Sequence, residues 1–391
     1  MSGKHTTARD FDDLLCARTP LLDVRAPVEF AHGAIPGATN LPLLDDEERH
    51  RVGIRYRQAG QDAAIRLGHE LVSGAVRAAR TDSWCRYLDA HPDAHLYCFR
   101  GGLRSATVRD WLHERGYRVP VIEGGYKALR NHLLARLEAL GGAAALRVVG
   151  GRTGTGKTRL LERITRSIDL EGLANHRGSA FGPRVYGQPA PIDFENRLAV
   201  ELLILAGAAD SSSPSTDPST DRSPAPDPAT QLPIAIEDES RNVGRLSVPA
   251  ALVANMAEAP LVLVEASMDE RVQITLEDYV IAGRAEHEAR YGAEAGFEAF
   301  SDYLLGALGK VRRRLGGVRH GELDACMQEA LALQRDRGDV SAHEHWIRRL
   351  LEEYYDPMYD YQLAGKLDRV CFRGTREEVE DWLLQETTGH R

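Results

Sequence analysis

A cysteine followed by a glycine pair and flanked by arginines is the first group of residues that could do chemistry. Its members are Cys98, Arg100, Gly101, Gly102 and Arg104. A thiol reacts as its thiolate, and this anion would gain from loop N–H groups, a following helix N-terminus and the guanidinium charges. Adjacent glycines let the backbone turn its amides inward, which a Cβ would resist. We predict a reactive, anion-binding thiolate at Cys98; a buried cysteine without function is the alternative.

A second glycine-rich turn, at residues 151–158, matches the Walker-A pattern of phosphate-binding loops. Its glycines let backbone amides approach phosphate oxygens, Lys157 adds a positive charge, and the Thr158 hydroxyl suits Mg²⁺. The pattern identifies phosphates and leaves open which group they carry, and a strand-to-helix turn without a ligand is the alternative. The residues predicted to bind a diphosphate group here are Gly151, Thr153, Gly154, Thr155, Gly156, Lys157 and Thr158.

Three consecutive acids follow an apolar strand pattern at residues 232–236. Glu237, Asp238 or Glu239 could position Mg²⁺ beside Thr158, directly or through water. Acids that cap a helix at the end of a strand are the alternative. The sequence does not choose between the acids.

Two further segments carry chemistry-bearing side chains. Residues 174–182 are polar, and Arg177 and Ser179 within them could close over a bound diphosphate, with a surface loop of no function as the alternative. Residues 354–361 combine aromatics with acids, for which packing against the sheet is favoured over base stacking.

The elements that must position these groups alternate between strands and helices. Residues 95–98 form a predicted strand that runs into the cysteine loop, and Arg104–Glu114 have helical spacing. Other predicted strands lie at 21–24, 121–123, 146–150, 261–264 and 369–372, and other helices at 126–140, 157–168, 194–205 and within 268–353. This alternation predicts an α/β fold with parallel sheets covered on both faces.

The length of 391 residues favours two domains, since one hydrophobic core stops growing below this size. We place the linker at residues 141–143. Residues 211–227 are rich in Ser, Pro and Asp and bear no aliphatic side chain larger than Ala, so we predict a disordered surface insertion within the second domain.

Composition narrows the class of protein. Apolar residues make up 43% of the chain and charged residues 27%, without an apolar run of membrane-spanning length or a secretory signal, which predicts a cytoplasmic enzyme without membrane contact. Five scattered cysteines without a C-x-x-C pair argue against disulfides and zinc. The net charge is −9, so only local basic surfaces are candidates for binding nucleic acid. Solvated helix faces are the alternative interpretation of these basic clusters. The clusters are Lys127/Arg130/Arg136, Arg159/Arg163/Arg166 and Arg312–Arg314 with Arg319.

The segment from Leu22 to Pro42 resembles the N-terminal signature of the rhodanese family, and Cys98 stands where that family carries its persulfide cysteine. Five residues separate Cys98 from Arg104, one more than in common sulfurtransferase loops and as many as in rhodanese-like phosphatases. The loop alone therefore leaves phosphate hydrolysis and transfer of a heavier chalcogen both open.

With a rhodanese-like segment before a P-loop, the chain resembles the bacterial tRNA 2-selenouridine synthase family nearly from end to end. The motifs that carry the resemblance are His176–Ser179, Gln188–Pro189, Phe194–Asn196, Glu239–Arg241 and Tyr354–Tyr361. The resemblance implies an N-terminal rhodanese-like domain, 1–140, and a P-loop NTPase-like parallel α/β domain, 145–391. It also adds His176, Glu239 and Arg241 to the predicted diphosphate site.

The resemblance further implies a reaction. The family converts wobble 2-thiouridine in the tRNA anticodon loop to 2-selenouridine through an S-geranyl intermediate, using geranyl diphosphate and a supply of selenophosphate. The competing interpretation is a rhodanese-like phosphatase or sulfurtransferase with a P-loop ATPase or kinase domain and no RNA substrate. No protein partner is predictable.

Overall fold

The computed structural model describes residues 5–7, 10–210 and 232–388. The predicted insertion at 211–227 lies outside these residues. The strands are β1 (His5–Thr6), β2 (Leu21–Asp23), β3 (Ala38–Asn40), β4 (His95–Tyr97), β5 (Val121–Ile122), β6 (Leu146–Gly150), β7 (Ser167–Ile168), β8 (Ile234–Glu237), β9 (Asn242–Val243), β10 (Leu246–Ser247), β11 (Leu261–Val264) and β12 (Val370–Gly374).

Helices account for most of the remaining described chain. They are α1 (Phe11–Cys16), α2 (Pro27–Ala31), α3 (Asp46–Leu71), α4 (Gly74–Ala90), α5 (Leu103–Glu114), α6 (Gly125–Ala143), α7 (Lys157–Leu161), α8 (Leu170–Leu173), α9 (Pro191–Asp210), α10 (Ala250–Glu258), α11 (Met268–Thr275), α12 (Ala282–Tyr291), α13 (Ala293–Leu315), α14 (Gly317–Arg337), α15 (His343–Leu350), α16 (Asp356–Ala364) and α17 (Arg376–Thr388). Two π-helical turns, Leu276–Ile281 and Leu351–Tyr355, and a 3₁₀ turn, Leu367–Arg369, complete the elements.

The chain divides into two compact units. Unit 1 comprises Met1–Leu140 and Ala190–Ser212, and unit 2 comprises Gly141–Pro189 and Ser213–Arg391. Within the described residues, no helix is both long enough and apolar enough to cross a membrane.

Unit 1 is built on a parallel sheet in the order β1-β5-β4-β2-β3. The inner strand β2 consists entirely of buried residues, as expected for a parallel sheet covered on both faces, whereas the edge strand β3 is partly exposed. The core contains Leu22, Leu96, Trp84 and Trp111, and the two indoles stack at 6.3 Å between centroids. The central strand β4 ends directly before Cys98, so the sheet delivers the cysteine to one edge of the unit.

Helix α9 differs from its predicted surroundings. We expected the helix at 194–205 inside the P-loop domain, but it clusters with unit 1. The reason is a set of polar contacts: Asp193 accepts from the Ala34 N–H at 2.8 Å, and Asn196 donates to the Ala34 carbonyl at 2.7 Å. Arg130 adds a 2.7 Å hydrogen bond to Asn196.

Unit 2 contains a five-stranded sheet in the order β12-β11-β6-β8-β7 with parallel neighbours throughout. The central β6 precedes the P-loop, and β8 next to it ends in Glu237. The carboxyl ends of parallel strands meet at one edge, so the P-loop and the acids after β8 lie together. A separate helical core around Phe300, Leu304 and Trp346 supports the other side of the P-loop cavity described below. The predicted α/β class with parallel sheets in both regions is confirmed.

Two predicted element boundaries are wrong. The helix after the P-loop ends at Leu161 instead of 168, because the Ser167 hydroxyl bonds the carbonyls of Leu161 and Ile164 at 2.7 Å and the chain then enters edge strand β7. The predicted linker 141–143 is helical. A Cβ on Gly141 would lie 3.3 Å from Leu252 Cβ, so the glycine permits a close helix contact here and does not break the helix.

Candidate functional site

The cysteine loop is closed by backbone contacts with the segment after β5. Cys98 is buried, and its carbonyl accepts from the Tyr126 N–H at 2.9 Å, while the Phe99 carbonyl accepts from Lys127 at 3.0 Å. Gly125 has φ +58°, and a Cβ there would lie 2.2 Å from the Cys98 carbonyl oxygen. Gly101 has φ +64°, and its Cβ would lie 2.7 Å from the Ile122 carbonyl oxygen. The glycines therefore allow two backbone segments to meet behind the thiol.

The two loop arginines have different surroundings. Arg104, on the first turn of α5, makes two hydrogen bonds to Glu29, at 2.5 and 3.1 Å. Burial lowers the pKa of Arg104, but pairing with Glu29 outweighs it, and the nearby Cys98 also contributes to the net rise. Arg100 is exposed, with its guanidinium 5.9 Å from the Phe99 ring centre. Arg104 is thus the cation held near Cys98, and part of its charge is balanced by Glu29.

A buried ion pair that sequence reasoning missed supports this loop. Arg25 donates to Asp23 at 2.8 Å and to the Gly33 carbonyl at 2.9 Å, and both members of the pair are at most 1% exposed. The Arg25 guanidinium also stacks 3.8 Å from the centre of the Tyr126 ring, next to the cysteine loop. The Asp-Val-Arg triplet of the rhodanese-like signature was the available signal.

The P-loop is held by close contacts at its glycines. Gly154 has φ +84°, and a Cβ there would lie 2.7 Å from the Arg271 carbonyl oxygen. Lys157 donates from Nζ to the Gly151 carbonyl at 2.9 Å, which holds the ammonium group across the loop. Thr155 is buried, and its hydroxyl bonds the Arg152 carbonyl at 2.9 Å, so its side chain braces the turn.

A buried arginine outside the motif also holds the P-loop, and nothing in the sequence around this arginine predicted that role. Arg271 of α11 donates to the Thr153 carbonyl at 2.9 Å and makes two hydrogen bonds to Asp356, at 2.9 and 2.5 Å. Asp356 belongs to the aromatic and acidic segment 354–361. In that segment Tyr355 is buried and Tyr361 is 85% exposed, so the segment combines core packing with loop support.

Three glutamates lie beside Lys157. Glu237 is 1% exposed; one carboxylate oxygen accepts from the Thr158 hydroxyl at 3.2 Å and the other from the Glu171 N–H at 3.0 Å. Burial, reinforced by neighbouring acids, raises the pKa of Glu237 well above its usual range. Burial and the charge of Glu239 raise the pKa of Glu171 to about 8, with Lys157 opposing the shift. Burial and the charge of Glu237 raise the pKa of Glu239 to about 7.

The P-loop, the acids and the 174–182 segment surround one cavity of about 530 Å³. Its lining includes the predicted residues Gly151, Thr153, Gly154, Gly156, Lys157, Thr158, Arg177, Ser179, Asp238 and Glu239. Apolar and aromatic side chains share the lining, namely Ile274, Tyr279, Ala282, Tyr355, Met358 and Tyr359, together with the polar Thr275, Asp278, Glu286 and Gln362. Glu171 also lines it and was not predicted, since it lies far from the motif in sequence.

Contacts within and around the 174–182 segment hold its predicted residues in place, whereas Arg241 lies away from the cavity. His176 is buried, and its Nδ1 accepts from the Gly178 N–H at 3.0 Å, so it shapes the segment. Arg177 pairs with Glu286 at 3.0 Å, and Ser179 bonds the Tyr279 hydroxyl at 3.0 Å. Arg241 is exposed and does not line the cavity.

The donor set at the end of β8 fits a magnesium ion that takes most of its ligands from water and phosphate. Glu237 is a buried acid with no basic side chain bonded to it among the described residues, and it contacts the Thr158 hydroxyl. Asp238 instead forms an ion pair with Lys366, at 2.7 Å. The residues that would hold the ion are therefore Thr158 and Glu237.

Half of the residues in the predicted basic surfaces form ion pairs with local acids. Arg130 pairs with Glu195, and Arg136 pairs with Asp12. In unit 2, Arg159 contacts Glu277 and Asp278, Arg163 contacts Glu380, and Arg319 contacts Glu353. Clustering in the sequence therefore overstated the positive charge available to a nucleic acid.

Comparison with known proteins divides the chain near residue 140, and the match to the P-loop family includes helix α9, which packs with unit 1 in the structure. Residues 7–132 match the rhodanese-like domain family, and residues 144–213 and 226–390 match the family described as tRNA 2-selenouridine synthase AAA domain. A tRNA 2-selenouridine synthase of Marinobacter nauticus is 46% identical over 379 residues, covering 97% of this chain and 98% of the relative. This chain is an enzyme of the tRNA 2-selenouridine synthase family.

Further relatives of the same name extend this finding. The tRNA 2-selenouridine synthase of Cupriavidus necator is 47% identical, with 97% of each chain covered. That of Alcanivorax borkumensis is 46% identical, covering 96% of this chain and 98% of the relative. The family resemblance, the rhodanese-like N-terminal region and the P-loop region predicted from the sequence are confirmed.

Proposed function

We propose that this enzyme converts wobble 2-thiouridine in tRNA to 2-selenouridine through S-geranyl-2-thiouridine, using geranyl diphosphate and then selenophosphate. Membership of the family supports the overall conversion. The observation that supports the two-step route is the composition of the P-loop cavity, where the phosphate-binding turn and several apolar and aromatic side chains line the same space. A diphosphate joined to an apolar chain can contact both kinds of residue in such a cavity.

The first step takes place at the P-loop. The thiouridine sulfur attacks C1 of the geranyl group, the C1–O bond breaks, and diphosphate leaves with the bonding electrons. Negative charge grows on the diphosphate, where loop amides and Lys157 stabilise it. Arg177 and Ser179 line the same cavity and are placed to bind outer phosphate oxygens. S-alkylation also removes the N3 proton of the base.

Magnesium would assist the same step. Thr158 and Glu237 would hold the ion, which would supply positive charge to the departing diphosphate. Burial raises the pKa of Glu237 well above its usual range, and a bound cation would favour the carboxylate form.

The second step takes place at the cysteine loop. The selenium of selenophosphate bonds C2 of the base while the C2–S bond breaks, and sulfur leaves as geranylthiol after taking a proton. Water then accepts the phosphoryl group as phosphate, and N3 regains its proton. Cys98 and Arg104 position the selenium donor, whose phosphate oxygens match the anion-binding loop.

The tRNA anticodon loop is the macromolecular partner in this reaction, and the cytoplasm is the compartment in which it meets the enzyme. The test is to incubate the protein with thiolated tRNA and geranyl diphosphate, with and without selenophosphate, and to analyse the nucleosides by mass spectrometry. S-geranyl-2-thiouridine should appear without selenophosphate and 2-selenouridine with it. Unchanged 2-thiouridine in both reactions, or hydrolysis of ATP or p-nitrophenyl phosphate instead, would contradict the proposal.

A further inference from the structure

Unit 1 contains a second cavity, of about 570 Å³, between helices α3 and α5. Its wall is largely apolar and includes Leu44, Val52, Ile65, Val72 and Trp111. Residues 49, 53, 56 and 57 of α3 line it before a kink at Gly60, and residues 61, 64, 65 and 68 line it after the kink, with the spacing of one helix face in each part. A cavity of this volume is in the range that binds small organic molecules.

This cavity adjoins the cysteine loop. Helix α5 begins at Leu103, immediately after the loop, and Leu103, Arg104 and Trp111 all line the cavity. Leu44 and Trp111 also belong to the same hydrophobic cluster as Cys98. A ligand in the cavity would therefore lie against the helix that starts at the thiol.

The cavity mouth exposes apolar side chains beside cationic ones. Leu103 is 54% exposed and Tyr56 is 57% exposed, and both line the cavity. Arg57, on the same rim, has no acidic partner among the described residues. Arg49 on the rim is paired with Glu29 at 3.2 Å. An apolar group attached to a polyanion fits this combination, because the chain can enter while a phosphate meets the rim.

We propose that the α3–α5 cavity binds the prenyl chain of the S-prenylated nucleoside while selenium replaces sulfur at the cysteine loop. This inference rests on the proposed function, which supplies the S-geranyl nucleoside. The cavity holds the chain of the leaving thiol, so C2 of the base is kept at the loop between Cys98 and Arg104. Arg57 meets a phosphate of the same RNA strand. Recognition of the chain then selects prenylated over unmodified nucleosides at this step.

Gly53 provides a test, because it lines the cavity and a Cβ added there meets nothing within 4 Å. Gly53→Leu should fill part of the cavity without a clash, and a helix interior favours leucine over glycine. The matched control is Gly321→Leu, at another open helical position, in unit 2 away from both cavities. The substrates are two synthetic anticodon stem-loop RNAs, one carrying S-geranyl-2-thiouridine and one carrying the shorter S-dimethylallyl analogue.

Conversion of each RNA to 2-selenouridine with selenophosphate is followed by mass spectrometry, and folding is checked by thermal melting. Gly53→Leu should lower kcat/KM for the geranyl RNA by about tenfold or more and change it by less than about twofold for the dimethylallyl RNA, as expected for lost room in an apolar pocket. Gly321→Leu should match the wild type on both. Tyr56→Ser should raise KM for the geranyl RNA alone, because it removes apolar contact at the mouth.

Three outcomes would overturn the inference. If Gly53→Leu matches the wild type on both RNAs, the chain does not occupy this cavity. If Gly53→Leu slows conversion of both RNAs equally while its melting temperature matches the wild type, the loss of activity does not depend on the length of the prenyl chain. If the wild type fails to convert the geranyl RNA, the proposed function fails and the inference with it, which separates that failure from the first two.

Discussion

Thr158 of the P-loop donates a hydrogen bond to Glu237 at the end of β8, with 3.2 Å between the oxygens. The contact joins the phosphate-binding turn to a buried acid on the neighbouring strand. Hydroxyl and carboxylate oxygens are the donors that Mg²⁺ accepts in phosphate sites. The pair therefore connects the fold of unit 2 to the proposed chemistry of diphosphate departure.

Replacing Glu237 tests this connection. Glu237→Gln keeps the shape and the hydrogen bond to Thr158 but removes the charge, so geranylation should slow by about 100-fold or more, as for other losses of transition-state charge stabilisation. The melting temperature at pH 8 should not fall, because burial disfavours the native carboxylate. Geranylation at the wild-type rate with saturating Mg²⁺ would exclude this role for Glu237.

The buried glutamates predict a pH dependence of stability. The pKa of Glu171 is raised from 4.5 to about 8 in the folded protein, so the folded state binds the proton more tightly than the unfolded state. The resulting stabilisation is complete below about pH 4.5 and is lost as pH rises through about 8. Between pH 6 and 9 the ligand-free protein should therefore lose several degrees in melting temperature from this group, since about 1 kcal/mol corresponds to about 2–4 °C at this domain size.

Scanning calorimetry of wild type and Glu171→Gln across that range is the measurement. The variant should lose less stability than the wild type as pH rises. Equal slopes for the two proteins would show that Glu171 titrates normally.

Breaking the Arg271–Asp356 ion pair should lower both the stability of the protein and its geranylation activity. Asp356→Ala leaves the buried Arg271 without its partner, which should destabilise the protein by about 3–5 kcal/mol. Because Arg271 also holds the Thr153 carbonyl, geranylation should fall at temperatures where the variant is still folded. Denaturant titration and single-turnover geranylation measure the two effects, and Asp360→Ala, which frees only the exposed Arg152, is the control.

Because Gly125 lies against the Cys98 backbone, a larger residue at position 125 should slow the selenium step. Gly125→Ala places a Cβ 2.2 Å from the Cys98 carbonyl oxygen, so the loop must move and conversion of S-geranyl RNA should fall at least about tenfold. Gly116→Ala is the matched control: its φ is also positive, at +88°, but the added Cβ meets open space. If both variants lose activity equally, the backbone angle and not the contact with the loop is responsible.

The positions of the two loops could be predicted because each loop is marked locally. Glycines stand within a few residues of Cys98 in one loop and of Lys157 in the other, and a short strand precedes each loop. The roles of Glu171 and Arg271 could not be predicted, since their partners lie 66 and 85 residues away along the chain.

Two helix boundaries were predicted wrongly for a related reason: they depend on contacts outside the helix. Helix α7 ends early because the Ser167 hydroxyl bonds the Leu161 carbonyl. Gly141 stays within helix α6, where it packs against Leu252. The α3–α5 cavity was also missed, because α3 was not predicted. The Asp45 and Glu48 capping box at its start was the signal available in the sequence.

The most direct test of the account separates the two steps with Lys157→Ala and Cys98→Ala. Each variant is given thiolated tRNA with geranyl diphosphate, and separately S-geranyl tRNA with selenophosphate, and the nucleosides are analysed by mass spectrometry. We expect Lys157→Ala to lose geranylation and retain conversion of S-geranyl tRNA, and Cys98→Ala to show the reverse. Loss of both steps in a folded Cys98→Ala protein would contradict the assignment of one step to each loop.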